Sequence, residues 1–188
     1  MTHQEIRKSF FNFFKSKGHA IVTSSSLLPD DPSVLITTAG MQQFKRYYTG
    51  ELDALKDFNS QRTASIQKSF RTTDIEEVGD KTHLTLFEML GNFSFGPVGT
   101  DDPEDFGTSG YLKRSSIHWG YSFITSNLGI SPERVHVTVF GGDEETPYDE
   151  ESYKIWKDEI KIPEEKILKG SRQDNFWGPT GNEGPCGP

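Results

Sequence analysis

Three side chains of complementary chemistry fall within a short span of this chain: Arg71, His83 and Phe87. A guanidinium binds phosphate or carboxylate oxygens through its planar fork. A nearby imidazole can donate to a further phosphate oxygen, and a phenyl ring can stack under a purine. Asp74, Glu76 and Glu77 lie between the Arg and the His, where a carboxylate could accept from an exocyclic amine. Together these groups would make a nucleotide site without a phosphate loop of the Gly-x4-Gly-Lys-Ser/Thr type, a run the chain lacks. Taken singly, each has an ordinary explanation: a surface Arg, a core Phe, a satisfied polar His.

The elements around these residues decide whether they meet. Ile66 to Arg71 alternates, with Ile66, Lys68 and Phe70 on one side and Gln67, Ser69 and Arg71 on the other. His83 to Phe95 reads as a longer, antiparallel second strand. Period 2 would put His83, Thr85, Phe87 and Met89 on one face and Leu84, Leu86 and Leu90 on a core face. Thr72 to Lys81 is too long for a tight hairpin and reads as a mobile loop over the strand pair.

Upstream, Thr2 to Glu5 has the form of a capping box, and Ile6, Phe10, Phe13 and Phe14 follow at helical spacing. The pattern predicts a helix from about Thr2 to Lys17, stopped at Gly18. Val34 to Thr38, after Pro32, reads as a short strand, Met41 to Tyr48 as a helical turn, and Glu51 to Ser60 as a polar connection. Downstream, Gly96 to Gly110 is a Gly/Pro/Asp loop. Ile117, Tyr121, Ile124 and Leu128 mark a helix ending near Gly129. Val135, Val137 and Val139 mark a strand, Gly141 to Pro147 a turn, Tyr153, Trp156 and Ile160 an acidic helix, and Ile167–Leu168 the start of another strand. His118 reads as a helix-surface residue and His136 as an ordinary strand residue. The chain closes on a Gly/Pro-rich stretch, "DNFWGPTGNEGPCGP".

With 188 residues the chain fits one domain of ordinary size. Fourteen Phe residues argue against disorder. No apolar run reaches the roughly 20 residues of a membrane span, and no signal-peptide cleavage pattern follows Met1. One Cys excludes an internal disulfide framework and fits a reducing cytosol. One Cys and five scattered His give no zinc-ligand spacing. The net charge of −8 excludes a generic nucleic-acid coat. It divides unevenly, +4 over residues 1–72 and −12 over residues 73–188. A solvated acidic face on the second half explains this; a basic first half beside an anionic substrate is the functional alternative.

The stretch "FRTTDIEEVGDKTHLTLFEMLGNFSFG", Phe70 to Gly96, resembles motif 2 of the class II aminoacyl-tRNA synthetases, in the form carried by the alanyl family. Phe70-Arg71 and His83-x-x-x-Phe87 match the class pattern, and "FEMLGNFSFG" is nearly private to the alanyl form. "SKGHAIVTSSSLLPDDPSVLITTAGMQQFK" (Ser16 to Lys45), "DNFW" (Asp174 to Trp177) and "GPCGP" (Gly184 to Pro188) are similar as well. The resemblance implies an α+β fold, an antiparallel sheet flanked by helices. Residues 1–188 would be the N-terminal portion of an adenylation domain, ending before motif 3 and so incomplete at its C-terminal end.

The resemblance also implies roles. Arg71 would bridge the alanine carboxylate and the α-phosphate of ATP, His83 would face the γ-phosphate end, and Phe87 would stack on adenine. Asp74, Glu76 or Glu77 would line the loop over adenine and the tRNA end. Trp177 would wall the alanine pocket, with Met41 beside it. Cofactors and partners would be ATP with Mg²⁺, alanine and the acceptor end of tRNA(Ala), in the cytoplasm, with no membrane. Thr73 stands where the general class pattern has Glu, as in the alanyl form, and "GPTGNE" departs from the family between Trp177 and Gly184. Cys186 reads as a small residue in a turn, not as a nucleophile. An isolated piece of this kind would turn over poorly. A non-catalytic paralogue sensing alanine or nucleotide, and a structural remnant, are the alternatives.

Overall fold

The computed structural model describes residues 1–29, 34–72, 75–76, 78–177 and 187. Its content is α+β, in two compact units. One comprises Thr2–Pro97 with Phe106–Gly110, the other Val98–Asp105 and Tyr111–Pro188 with Met1.

The first unit opens with helix α1, His3–Ser16. Thr2 caps it in a true capping box: its hydroxyl accepts from the Glu5 N–H, and the Glu5 carboxylate accepts from the Thr2 N–H. Phe10 and Phe14 of its apolar stripe are buried. Gly18 ends it in the left-handed region (φ 81°), and a Cβ there would lie 2.1 Å from the Gly107 carbonyl oxygen, so only glycine fits. Strand β1, Ala20–Val22, runs parallel to β2, Arg62–Phe70, and β2 pairs antiparallel with β3, Leu86–Ser94. The sheet is therefore mixed, where an antiparallel one was expected. The cause is the long crossover from Val22 to Arg62, which returns the chain to the same end of the sheet before β2 begins.

That crossover also departs from expectation. Val34 to Thr38 forms no strand; Leu35 is exposed, and Thr37 makes single backbone bonds to Leu27 and Phe70 instead of a ladder. A 3₁₀ turn, Gln42–Phe44, leads into the short helix α2, Lys45–Tyr48, as the sequence indicated. The connection after Glu51 contains a helix, α3, Ala54–Phe58, whose N-terminus is capped by the Asp53 carboxylate on Leu55 N–H and Lys56 N–H. Phe44 is fully buried among Tyr47, Phe58, Phe93 and Phe95, with its ring centroid 4.6 Å from that of Phe93. Burial of this size is worth about 3–5 kcal/mol on truncation to Ala, and it pins the 3₁₀ turn to β3.

Strand β2 starts four residues before Ile66, and its residues 62–67 and 69 are buried whatever their polarity. Both faces are covered: α1 lies against β1 and β2, and Ser25 and Gln43 of the crossover cover the face bearing Gln67. His19, after α1, is buried too; its Nδ1–H donates to the Phe14 carbonyl. Burial, helped by the nearby Arg62 charge, pushes its pKa down to about 3.

In the second unit, α4, Lys113–Ser122, passes into a π-helical segment, Phe123–Asn127, that ends at Gly129. The face it buries is Ser115, Trp119 and Phe123, not the expected Ile117/Tyr121/Ile124/Leu128 stripe, and Ile124 is exposed. The Trp119 indole N–H donates to the Pro103 carbonyl, which draws this face inward. Strand β4, Val137–Phe140, pairs parallel with β5, Ile167–Gly170. Val137, Val139, Ile162 and Ile167 make its core, with Trp156 packed on it. Helix α5, Glu150–Lys154, is capped by Asp149, whose carboxylate also takes Lys113 Nζ at 2.8 Å. His136 is exposed one residue before β4, and His118 lies on α4 with Nε2 2.8 Å from Glu159. The short helix α6, Arg172–Asn175, follows β5. Among the described residues no helix is long and apolar enough to cross a membrane.

Candidate functional site

The β2–β3 register sets the geometry. Ser69 pairs with Phe87 and Phe70 with Leu86, and the Arg71 N–H donates to the Thr85 carbonyl at 2.8 Å, one step beyond the strands. Ser69, Arg71 and Phe87 therefore share one face. The Arg71 guanidinium carbon lies 5.3 Å from the Phe87 ring centroid, within cation–π range. Arg71 Nε donates to the Thr38 carbonyl at 3.1 Å, and the Phe70 N–H donates to the Thr37 carbonyl at 2.9 Å. The crossover segment is thus fastened to the end of β2, and the guanidinium is held at its Nε edge.

Met41 belongs to the same neighbourhood. It follows Gly40, whose N–H points at Met89 Sδ from 3.2 Å, and Met89 is the register partner of Gln67. Gln67 is fully buried. Its Oε1 accepts from the Ser25 N–H, Ser25 Oγ and Gln43 Nε2, while its Nε2 donates to the Ser25 and Lys68 carbonyls. One carboxamide thereby ties two stretches of the crossover to the strand.

His83 does not sit on the strand as expected. β3 begins at Leu86, and residues 83–85 precede it. Asp80 is the reason. Its carboxylate accepts from the backbone N–H groups of Thr82 (2.7 Å) and His83 (2.6 Å), and from His83 Nδ1 (2.7 Å), which bends the chain into a turn. The His83 N–H, then that of Thr82, then the His83 ring hold the Asp80 carboxyl well below the usual carboxylate range. Leu84 and Leu86, expected in the core, are exposed, and Leu90 is only half-buried. Glu76 is exposed in the loop. Asp74, Glu77 and Cys186 lie outside the described residues.

Trp177 belongs to the second unit. Its backbone pairs with Gly187 in both directions, at 2.9 and 3.1 Å, and its ring is exposed. The structure thus joins Arg71, Phe87 and the turn bearing Met41 in one unit, with His83 on the connecting loop. Sequence reasoning passed over Asp80, Thr38, Gln42 and Gln67. The Asp-x-Thr-His spacing of Asp80 to His83 is a legible Asx-turn signal; nothing in "TTAGMQQF" marks Gln42.

The sequence that builds this arrangement matches a known family. The model described as tRNA synthetases class II (A) covers residues 5–188. The chain belongs to that family. Its relatives include proteins named alanine–tRNA ligase from Rubrobacter xylanophilus, 49% identical over 189 residues, and Petrotoga mobilis, 44% identical over 188; both alignments take in all of this chain and 19% of the relative. The one from Dehalococcoides mccartyi strain CBDB1 is 46% identical over 185 residues, 98% of this chain and 18% of the relative. The chain spans less than a fifth of the length of these three relatives.

Proposed function

We propose that this chain is the N-terminal portion of the adenylation domain of an alanine–tRNA ligase. Such an enzyme joins alanine to ATP as alanyl-adenylate, releases pyrophosphate, and passes the alanyl group to the terminal adenosine of tRNA(Ala) in the cytoplasm. The observation that carries the reading is the Arg71 guanidinium, held at Nε by the Thr38 carbonyl and flanked by the Phe87 ring.

The family resemblance supplies the roles, and that placement supports those of Arg71 and Phe87. The alanine carboxylate attacks the α-phosphorus, and pyrophosphate leaves from the opposite side. Little covalent help is needed; positioning and charge stabilisation lower the barrier. The Nη edge of Arg71 bridges the attacking carboxylate and the α-phosphate, where negative charge builds. Phe87 offers its face to adenine, and Asp74, Glu76 or Glu77 accept from the adenine amine and meet the tRNA end. His83, whose ring Nδ1 is held by the Asp80 carboxylate, faces the γ-phosphate end. Met41 walls the small alanine pocket. A wall rejects larger side chains; a single methyl is worth only about 1–3 kcal/mol, so glycine is discriminated less well. Among the described residues no three Asp, Glu, His or Cys side chains converge as metal ligands. Mg²⁺ would arrive on the ATP phosphates, as this cation commonly does.

The test is alanine-dependent exchange of labelled pyrophosphate into ATP, on the full-length gene product and on its Arg71→Ala variant. Exchange should fall by about 10²–10³-fold in the variant, the usual loss for one transition-state donor. Equal exchange in both would overturn the assignment.

A further inference from the structure

The turn that holds Arg71 has its own support. We propose that Gln42 is a positioning residue for Arg71, acting through the Thr38 carbonyl; this rests on Arg71 being the carboxylate- and phosphate-binding group.

The Gln42 side chain folds back over its own turn. Its Oε1 accepts from the Thr38 N–H and, at 3.2 Å, from the Ala39 N–H, and lies 3.5 Å from the Thr38 hydroxyl. The Gln42 N–H donates to the Ala39 carbonyl at 3.3 Å and closes the turn. The Ala39 N–H and the Thr38 C=O belong to the same peptide plane, and in a trans peptide they point in opposite directions. Fixing that N–H on Gln42 therefore aims the carbonyl the other way, where it accepts from Arg71 Nε at 3.1 Å.

The far end of this chain of groups is rigid. Gln42 opens the 3₁₀ turn that Phe44 pins into the aromatic cluster. The near end is rigid as well, since the Thr37 carbonyl takes the Phe70 N–H at the end of β2. Only the Thr38–Ala39 peptide is left to turn, and Gln42 stops it. Without that acceptor the peptide can rotate, the Nε contact is lost, and the guanidinium swings over Phe87 with no fixed plane. A small misplacement of a positioning group costs rate with little loss of fold stability.

The experiment is a double-mutant cycle on the full-length gene product, read as kcat/KM for alanine in pyrophosphate exchange and as Tm. Gln42→Met keeps the volume and removes the acceptor; Gln42→Glu keeps an acceptor oxygen. Each is made with Arg71 present and with Arg71→Lys, whose ammonium has no plane to orient. With Arg71, Gln42→Met should lower kcat/KM about tenfold at nearly constant Tm, and Gln42→Glu should restore most of it. With Arg71→Lys, the Gln42→Met loss should shrink below about twofold. A loss equal in both backgrounds, no loss in either, or a loss that follows Tm would overturn the role of Gln42 and leave that of Arg71 standing. Full activity of Arg71→Lys and Arg71→Ala alike would overturn the Arg71 reading itself.

Discussion

Arg7 on α1 grips Glu88 on β3 with two hydrogen bonds: Nε to Oε2 at 2.7 Å, and Nη2 to Oε1. The pair fixes the helix across the face of the sheet opposite to Arg71, since Glu88 alternates with Phe87. The Arg7 guanidinium keeps its proton more firmly for this contact. Both side chains are partly solvated, 43% and 29% exposed, so solvent screening weakens the pair despite its fork geometry. A cycle of Arg7→Ala, Glu88→Ala and the double variant, followed by urea unfolding, should give a small favourable coupling that falls with added salt. Additive losses would show that the pair contributes nothing beyond its packing.

Phe87 serves Arg71 on one side and, in the proposed reading, adenine on the other. Stacking of a base on an aromatic ring is worth about 1–3 kcal/mol. Phe87→Leu should therefore raise the KM for ATP by about tenfold or more, with a smaller change in the KM for alanine. Phe87→Tyr, which keeps the ring, should stay within about threefold of the native value. An unchanged KM for ATP in Phe87→Leu would remove the stacking role.

The elements that could be read from the sequence share one property: a single wet face. α1 has Thr2, Glu5 and a Phe stripe, and its bounds come out within a residue of the pattern. β4 alternates through Val137 and Val139 as expected, but it starts at Val137 and leaves Val135, also expected in it, at the end of the preceding 3₁₀ turn. β2 was read only from Ile66 because its first residues, Arg62, Thr63, Ala64 and Ser65, are buried on both faces, and small polar side chains there break the period. The mixed sheet was missed because β1 is three residues long, too short for a period to show. At the site, strand alternation correctly joined Arg71 to Phe87, for both lie in or beside the ladder. It failed for His83, where the Asp80 turn outweighed β propensity. Gln42 and Gln67 carried no signal, because a carboxamide acting on backbone groups leaves no spacing pattern.

His19 supplies a pH dependence with a definite sign. Burial holds its folded-state pKa near 3, against about 6.5 in the unfolded chain. Arg62 is the charged group beside it, and the ring is held by the Phe14 carbonyl. The folded protein therefore keeps this ring neutral where the unfolded chain protonates it. Its stabilising contribution is full above about pH 6.5 and is lost progressively as the pH falls toward 3, by about 1.4 kcal/mol per pH unit. His19→Asn keeps a donor for the Phe14 carbonyl and removes the titration. Its stability deficit against the native protein should be largest at pH 7 and shrink by about 2 kcal/mol at pH 5. Urea unfolding at pH 7, 6 and 5 measures this directly; parallel curves for the two proteins would mean that the folded ring titrates as freely as the unfolded one.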